Sequence, residues 1–257
     1  MGEPARYLYA VSRGLPVSAL DGVTGIGGAR LEVVGVLDLE ATVSTVDLDE
    51  FGEEGLHAHL EQLDWVERTA RAHDRVVHAC AAAAPTAPMR LATVCLDDES
   101  VRLRLEEWYD DLAHALDRIA GRQEWSVKVY AHARAGGEGR SARAPEPAAA
   151  GGAAYLRRKK AAAEERLTSE RASAEAAASV DRALGALAVA TRHLRAQDPR
   201  LSGHAGTMLL NGAYLVDSVA ADEFTAAVAK LVAAHPDVSI ACDGPWPPYS
   251  FATLEQP

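Results

Sequence analysis

What most constrains this chain is the order in which its hydrophobic period changes from two residues to three or four and back. Residues 5–12, ARYLYAVS, alternate with aromatic and β-branched character and read as a strand. Residues 14–28 hold five glycines and Pro16, and must be loop. Residues 30–37 and 39–46 give two more strands joined tightly around Asp38, so an antiparallel sheet opens the chain. From Glu53 to about Ala82 the period is helical, with Leu56, Leu60, Leu63, Ala70, His73, Val77 and Cys80 near one stripe, as one helix or two. Residues 89–96, MRLATVCL, read as a further strand. Asp97 or Asp98 can cap the next helix, whose stripe is Val101, Leu105, Trp108, Leu112, Leu116 and Ile119, closed by Gly121.

The second half starts with an alternating strand at 124–132, EWSVKVYAH, and a Gly/Pro/Ala loop at 134–151. A proline-free Ala/Arg/Glu stretch at about 153–196 then predicts helix. As one rod it would reach about 65 Å, so it should protrude or break near Ser169 to Ser179. Asn211-Gly212 between TMLL and AYLV predicts a two-residue hairpin, because both turn positions favour positive φ. A helix at 221–235 and a strand at 238–243 complete the order β-α-β-β-α-β, the ferredoxin-like split. The expected fold class is therefore α+β with two domains. Residues 1–122 carry an antiparallel sheet with helices, residues 123–243 a modified ferredoxin-like domain with a long first helix, and residues 244–257 a tail.

Composition removes several functions. Fifty-two of the 257 residues are alanine and only 5% are aromatic, so the core should be helix-rich, with each aromatic cluster a deliberate anchor. No apolar run reaches membrane-spanning length and no export signal opens the chain, which predicts a soluble cytoplasmic protein. Cys80, Cys95 and Cys242 are too scattered for a disulfide framework or a zinc site. A formal net charge of -11 argues against general nucleic-acid binding. That charge is segregated. Residues 38–67 hold ten carboxylates and no Lys or Arg, whereas residues 151–200 set ten Lys and Arg against six carboxylates. These blocks are solvated helix faces, or complementary docking surfaces within an oligomer or toward a partner.

Residue chemistry offers no reaction centre. The Gly22 to Gly28 loop lacks GK[ST] and a proper GxGxxG, and a strand follows it, so no helix N-terminus would receive a phosphate. His57 and His59 point apart on a helix; His73 lies near the apolar stripe as a core histidine or an orienter of the Met89 to Val94 segment. Asp97 and Asp98 are explained by capping. No cofactor, metal or catalytic residue is expected. The most unusual segment is GPWPPYSF at 244–251, where prolines stiffen the backbone and Trp246, Tyr249 and Phe251 supply anchors. It packs on its own domain or is presented to a partner.

With that tail the sequence resembles the gas vesicle protein F/L family (GvpF/GvpL) along its full length. The resemblance is carried by YLYAV at Tyr7 to Val11, LDWVERTARAHDRVV at Leu63 to Val77, PMRLATV at Pro88 to Val94, EWSVKVY at Glu124 to Tyr130, YLRRKK at Tyr155 to Lys160, NGAYLV at Asn211 to Val216, and GPWPPYSF. These segments make Tyr7, Tyr9, Trp65, His73, Arg90, Trp125, Lys128, Tyr155, Trp246, Pro247, Pro248, Tyr249 and Phe251 the candidate partner-binding or structural residues. One departure stands out: the family pattern leads us to expect Phe-Gly after Arg90, and this chain has Leu91-Ala92.

The resemblance implies a non-enzymatic accessory protein for gas vesicle assembly, associated with the small hydrophobic shell protein GvpA and with other accessory proteins. It also implies two α+β domains, the second a modified ferredoxin-like fold. A gas-facing shell subunit would aggregate unless its apolar surface or strand edges were covered, and the N-terminal domain's strands offer edges for that. Self-association, a structural homo-oligomer or adaptor, and a metal-dependent enzyme are the other readings; no nucleic-acid or membrane partner is expected.

Overall fold

The structure is a computed structural model that describes residues 2–132, 152–196, 204 and 206–252. The chain divides into two units, Met1–Glu124 with Pro245–Pro257, and Trp125–Gly244. The predicted loop at 134–151 lies outside the described residues, and the GPWPPYSF tail belongs to the first unit from Pro245 onward.

In the first unit β1 (Pro4–Ser12) is the central strand, paired antiparallel with β3 (Leu39–Asp47) on one side and with β4 (Thr86–Pro88) and β5 (Val94–Cys95) on the other. β2 (Leu31–Val36) adds to β3 and forms the edge, giving the order β2-β3-β1-β4. The β2–β3 hairpin turns through Leu37-Asp38 with Leu37 at φ 54°, a left-handed position held by a non-glycine residue. The register of β1 jumps between Leu8 and Ala10, leaving Tyr9 as an extra residue. The bulge places Tyr7, Tyr9 and Ala10 in one core cluster with Trp65, Val76, Val77 and Cys80.

Those last four belong to α3 (Leu63–Ala83), which follows α1 (Leu48–Phe51) and α2 (Glu53–His59). Of the one helix or two that the sequence allows over 53–82, the chain forms two, with a break at 60–62 that leaves Leu63 83% exposed. The three- and four-residue spacing continues across the break, so periodicity does not place it. The strand expected at 89–96 is also corrected. Its middle is a turn with Ala92 at φ 63°; the pairing with β1 comes from Thr86–Pro88, just before the segment, and from Val94–Cys95 near its end. The helix expected after Asp97 is two, α4 (Asp98–Glu107) and α5 (Tyr109–Ile119), parted at Trp108. Asp97 caps α4 as expected, accepting from the Ser100 N–H at 2.7 Å.

Ala92 stands where glycine was expected, in a conformation that costs an L-residue about 1 kcal/mol or more. Replacing it with glycine is expected to raise stability by about 0.5–1 kcal/mol after glycine's larger unfolded-state entropy is subtracted. Urea denaturation of A92G checks this; a loss of stability would show that the turn is shaped by its side chain instead.

The second unit is a four-stranded sheet of β6 (Arg122–Ala131), β7 (Ala190–His193), β8 (Met208–Asp217) and β9 (Val238–Trp246), in the order β7-β8-β6-β9. With α6 (Gly152–Gly185) after β6 and α7 (Ala221–Ala234) after β8, this is the ferredoxin-like βαββαβ arrangement. Two strand assignments differ from the sequence reading. The helix ends at Gly185, and Ala190–His193 is the second strand. Asn211-Gly212 is no turn: β8 runs straight through it, with Gly212 paired to His193. A Cβ on Gly212 would come within 2.8 Å of the Tyr214 ring, so the glycine is there to let that aromatic ring lie over the strand. The core gathers Trp125, Val127 and Val129 of β6, Ala177, Val180 and Leu184 of α6, and Phe224 and Val228 of α7.

α6 is one continuous helix of 34 residues, about 50 Å long. Its C-terminal half is buried at Ser173, Ala176, Ala177, Val180 and Leu184, whereas every residue from 155 to 172 is exposed.

Candidate functional site

The shared motifs of the first unit converge on a buried aromatic cluster. Tyr7 and Tyr9 have ring centroids 4.7 Å apart, Phe51 meets Tyr7 edge-on at 5.6 Å, and Trp65 tilts against Phe51 at 5.3 Å. The Tyr7 hydroxyl accepts from the Ala92 N–H at 2.9 Å and lies 3.0 Å from His73 Nδ1, so it donates to that nitrogen. His73 also hydrogen-bonds the Met89 backbone. Burial lowers its pKa from 6.5 to about 4, which keeps the ring neutral at pH 7. His73 is thus a core histidine, bonded to the 89–94 turn at the Met89 backbone and, through Tyr7, at Ala92. The turn itself exposes Arg90.

Tyr9 organises the glycine-rich loop. Its hydroxyl accepts from the Ile26 N–H at 2.8 Å and shares a 2.7 Å hydrogen bond with Ser44. A Cβ on Gly25 would sit 2.4 Å from that hydroxyl, so Gly25 is required by close approach to a tyrosine and not by a phosphate. Trp65 donates its indole N–H to Glu50 at 2.6 Å.

The tail closes onto this same unit. Pro247 and Pro248 are buried and start the one-turn helix α8 (Tyr249–Ala252). Tyr249 donates to Asp74 at 3.2 Å, and Ser250 donates through its N–H and hydroxyl to the two oxygens of Glu124 at 2.8 and 2.6 Å. Arg118 donates to the Phe251 carbonyl, and the Phe251 and Ala252 side chains are buried. Of the tail's three aromatic residues Trp246 is the exposed one, at 44%, with its ring edge-on to His78 at 5.9 Å. Self-packing is thus the arrangement of the tail.

In the second unit Trp125 is a core residue against Phe224 at 5.8 Å. Lys128 lies half-buried on the face of β6 opposite Val127 and Val129, and Tyr155 is exposed on α6. A shallow cleft between α6 and the β7–β8 strands holds Asp181, which accepts from Tyr214 at 2.7 Å and pairs with His193 at 2.9 Å. The pair has no hydroxyl or thiol nucleophile hydrogen-bonded to His193 among the described residues. The other reactive candidates do not meet: His57 is exposed on α2, His73 is in the core, Asp97 caps α4, and Asp98 pairs with Arg6 at 2.7 Å. Among the described residues no cluster of His, Cys, Asp or Glu could hold a metal, and no helix is long and apolar enough to cross a membrane.

Two open features stand out among the described residues. The first is the β2 edge. Flanking the two-residue turn, Val36↔Leu39, Val34↔Ala41 and Glu32↔Val43 are the mutually hydrogen-bonded pairs, which leaves the N–H and C=O groups of Leu31, Val33 and Gly35 pointing away from β3. Val33 is 45% and Leu37 84% exposed beside them. The sequence places open strand edges in this domain without marking β2 as the strand that carries one. The second feature is the exposed half of α6.

Most of the shared motifs line the two cores, whereas YLRRKK lies on the bare half of α6, in a two-unit α+β chain. The family model described as gas vesicle synthesis protein GvpL/GvpF matches residues 5–253, and the chain belongs to that family. Gas vesicle protein L of Streptomyces sp. (strain CB03234) is 39% identical over 255 residues, covering 98% of this chain and 94% of that protein. Gas vesicle protein F of the same strain is 29% identical over 249 residues, covering 95% and 98%. Among solved structures, GvpF from Anabaena sp. PCC7120 superposes with a TM-score of 0.70 at 17% identity, over 98% of both chains. GvpF from Microcystis aeruginosa gives 0.65, also at 17% identity, over 97% of this chain and 99% of that one. The α+β fold and a role in gas vesicle assembly follow from this membership, and the family is not a known enzyme family.

Proposed function

We propose that this chain is a cytoplasmic, non-enzymatic assembly factor that binds the small hydrophobic shell protein GvpA and delivers it during vesicle nucleation or growth. The supporting observation is the β2 edge, where backbone groups of Leu31, Val33 and Gly35 face outward beside exposed Val33 and Leu37. A strand of the shell protein adds there by main-chain hydrogen bonds, covering an edge that would otherwise aggregate. The separation of His57, His73 and the Asp97-Asp98 pair supports the non-enzymatic part.

Val33→Pro removes an outward N–H without touching the bonds to β3, so the hairpin should survive while the edge is blocked. Capture of GvpA by full-length V33P should fall on the order of tenfold or more. Val33→Lys, which charges the edge and keeps the N–H, should weaken capture too. Undiminished capture by both variants, with unchanged circular dichroism, overturns the edge as the docking site.

A further inference from the structure

We propose that the exposed N-terminal half of α6 docks on the acidic α2–α3 corner of a second copy of this chain, making a head-to-tail contact. Residues 155–172 make a helical stretch of five turns with no buried side chain. A helix solvated all round lacks the packed face from which most helical stability in proteins comes. Its internal support among the described residues includes the i,i+4 pairs Lys160–Glu164 at 3.8 Å and Arg166–Glu170 at 2.7 Å, each a surface pair of small worth. The helix has an apolar line to offer. Leu156, Ala163 and Leu167 follow at steps of seven and four, which puts them on one face, and Leu156 and Leu167 are exposed. Arg157, Arg158, Lys159 and Lys160 flank its first turn.

The complementary surface is on the same chain. The α2–α3 corner carries exposed Glu53, Glu54, Glu61 and Asp64 around exposed Leu60 and Leu63, within a stretch of 30 residues, 38–67, that has no Lys or Arg. Two leucines ringed by carboxylates fit a helix that presents two leucines beside four cations. The contact uses different patches on its two sides, so it is heterologous and extends a row of copies unless the rotation closes a ring.

The test uses two full-length charge-reversal variants. One carries R157E, R158E, K159E and K160E; the other carries E53K, E54K, E61K and D64K. All eight positions are exposed, so both variants should fold, which circular dichroism checks. In sedimentation velocity at about 50 mM salt the wild type should associate with rising concentration, and at about 500 mM the association should weaken on the order of tenfold or more. Each variant alone should be monomeric. Mixing the two should restore association, because the acidic helix of one meets the basic corner of the other. The proposal is overturned by a wild type that stays monomeric at low salt, by a mixture that does not associate, or by association that survives both reversals and is lost only in L156Q/L167Q, which would mean pairing between α6 helices.

Discussion

Phe251→Ala should destabilise the first unit by about 3–4 kcal/mol, the range for emptying a buried phenylalanine site. Phe251 is 6% exposed at the end of a segment that leaves the first unit at Glu124 and returns at Pro245. The return is fixed by directed bonds: Ser250 to both Glu124 oxygens, Arg118 to the Phe251 carbonyl, and Tyr249 to Asp74. The two prolines shorten the list of conformations the unfolded tail can visit, which lowers the entropy cost of seating it. Urea denaturation followed by near-ultraviolet circular dichroism reads the effect. Phe224→Ala in the core of the second unit serves as a control for a tail-independent loss. A change below about 1 kcal/mol for Phe251→Ala would mean that the tail adds little to the unit it packs on.

The second large effect is a loss of stability in mild acid that depends on His73. Its pKa falls from 6.5 in the unfolded chain to about 4 in the fold because burial disfavours the charged ring. Between these values the unfolded chain binds a proton that the folded chain does not, so stability rises with pH across the window. The contribution is fully present above pH 6.5 and is lost as pH falls toward 4, amounting to about 3 kcal/mol. The geometry gives the reason. A proton on Nδ1 would face the Tyr7 hydroxyl that now donates to it, while the Ala92 N–H already fills the acceptor side of that hydroxyl. Urea midpoints from pH 7 to 4.5 should fall more steeply for the wild type than for His73→Gln; parallel slopes would mean that another group carries the acid sensitivity.

The parts of the fold that the sequence announces are those where local pattern and burial agree. β1, β2 and β3 alternate as half-buried strands do, and Asp97 caps the helix that follows it. The misread parts are places where a local signal serves a different end. Asn211-Gly212 has turn chemistry, yet its glycine answers to the Tyr214 ring two residues on. The alanine-rich stretch keeps its helical propensity past the true end of α6. Gly185, followed by β-branched Val189 and Thr191, is the stop signal that could have marked it.

For the candidate residues, the aromatic tail was legible as an anchor because so few large side chains occur elsewhere. The Tyr7–His73–Ala92 connection was not, since it joins residues 66 and 85 positions apart. The β2 edge was half legible: the strand could be seen, but which strand lies outermost depends on long-range pairing. Leu91-Ala92 marks the same limit. The substitution is visible in the sequence, and the positive φ that gives it a cost is visible only in the structure.

Amide hydrogen exchange on the full chain, with and without GvpA, addresses shell-protein docking most directly. The outward amides of Leu31, Val33 and Gly35 exchange freely in the isolated protein on this account and become protected when GvpA is added. Bound GvpA that leaves those three amides unprotected, and protects another segment instead, would contradict it.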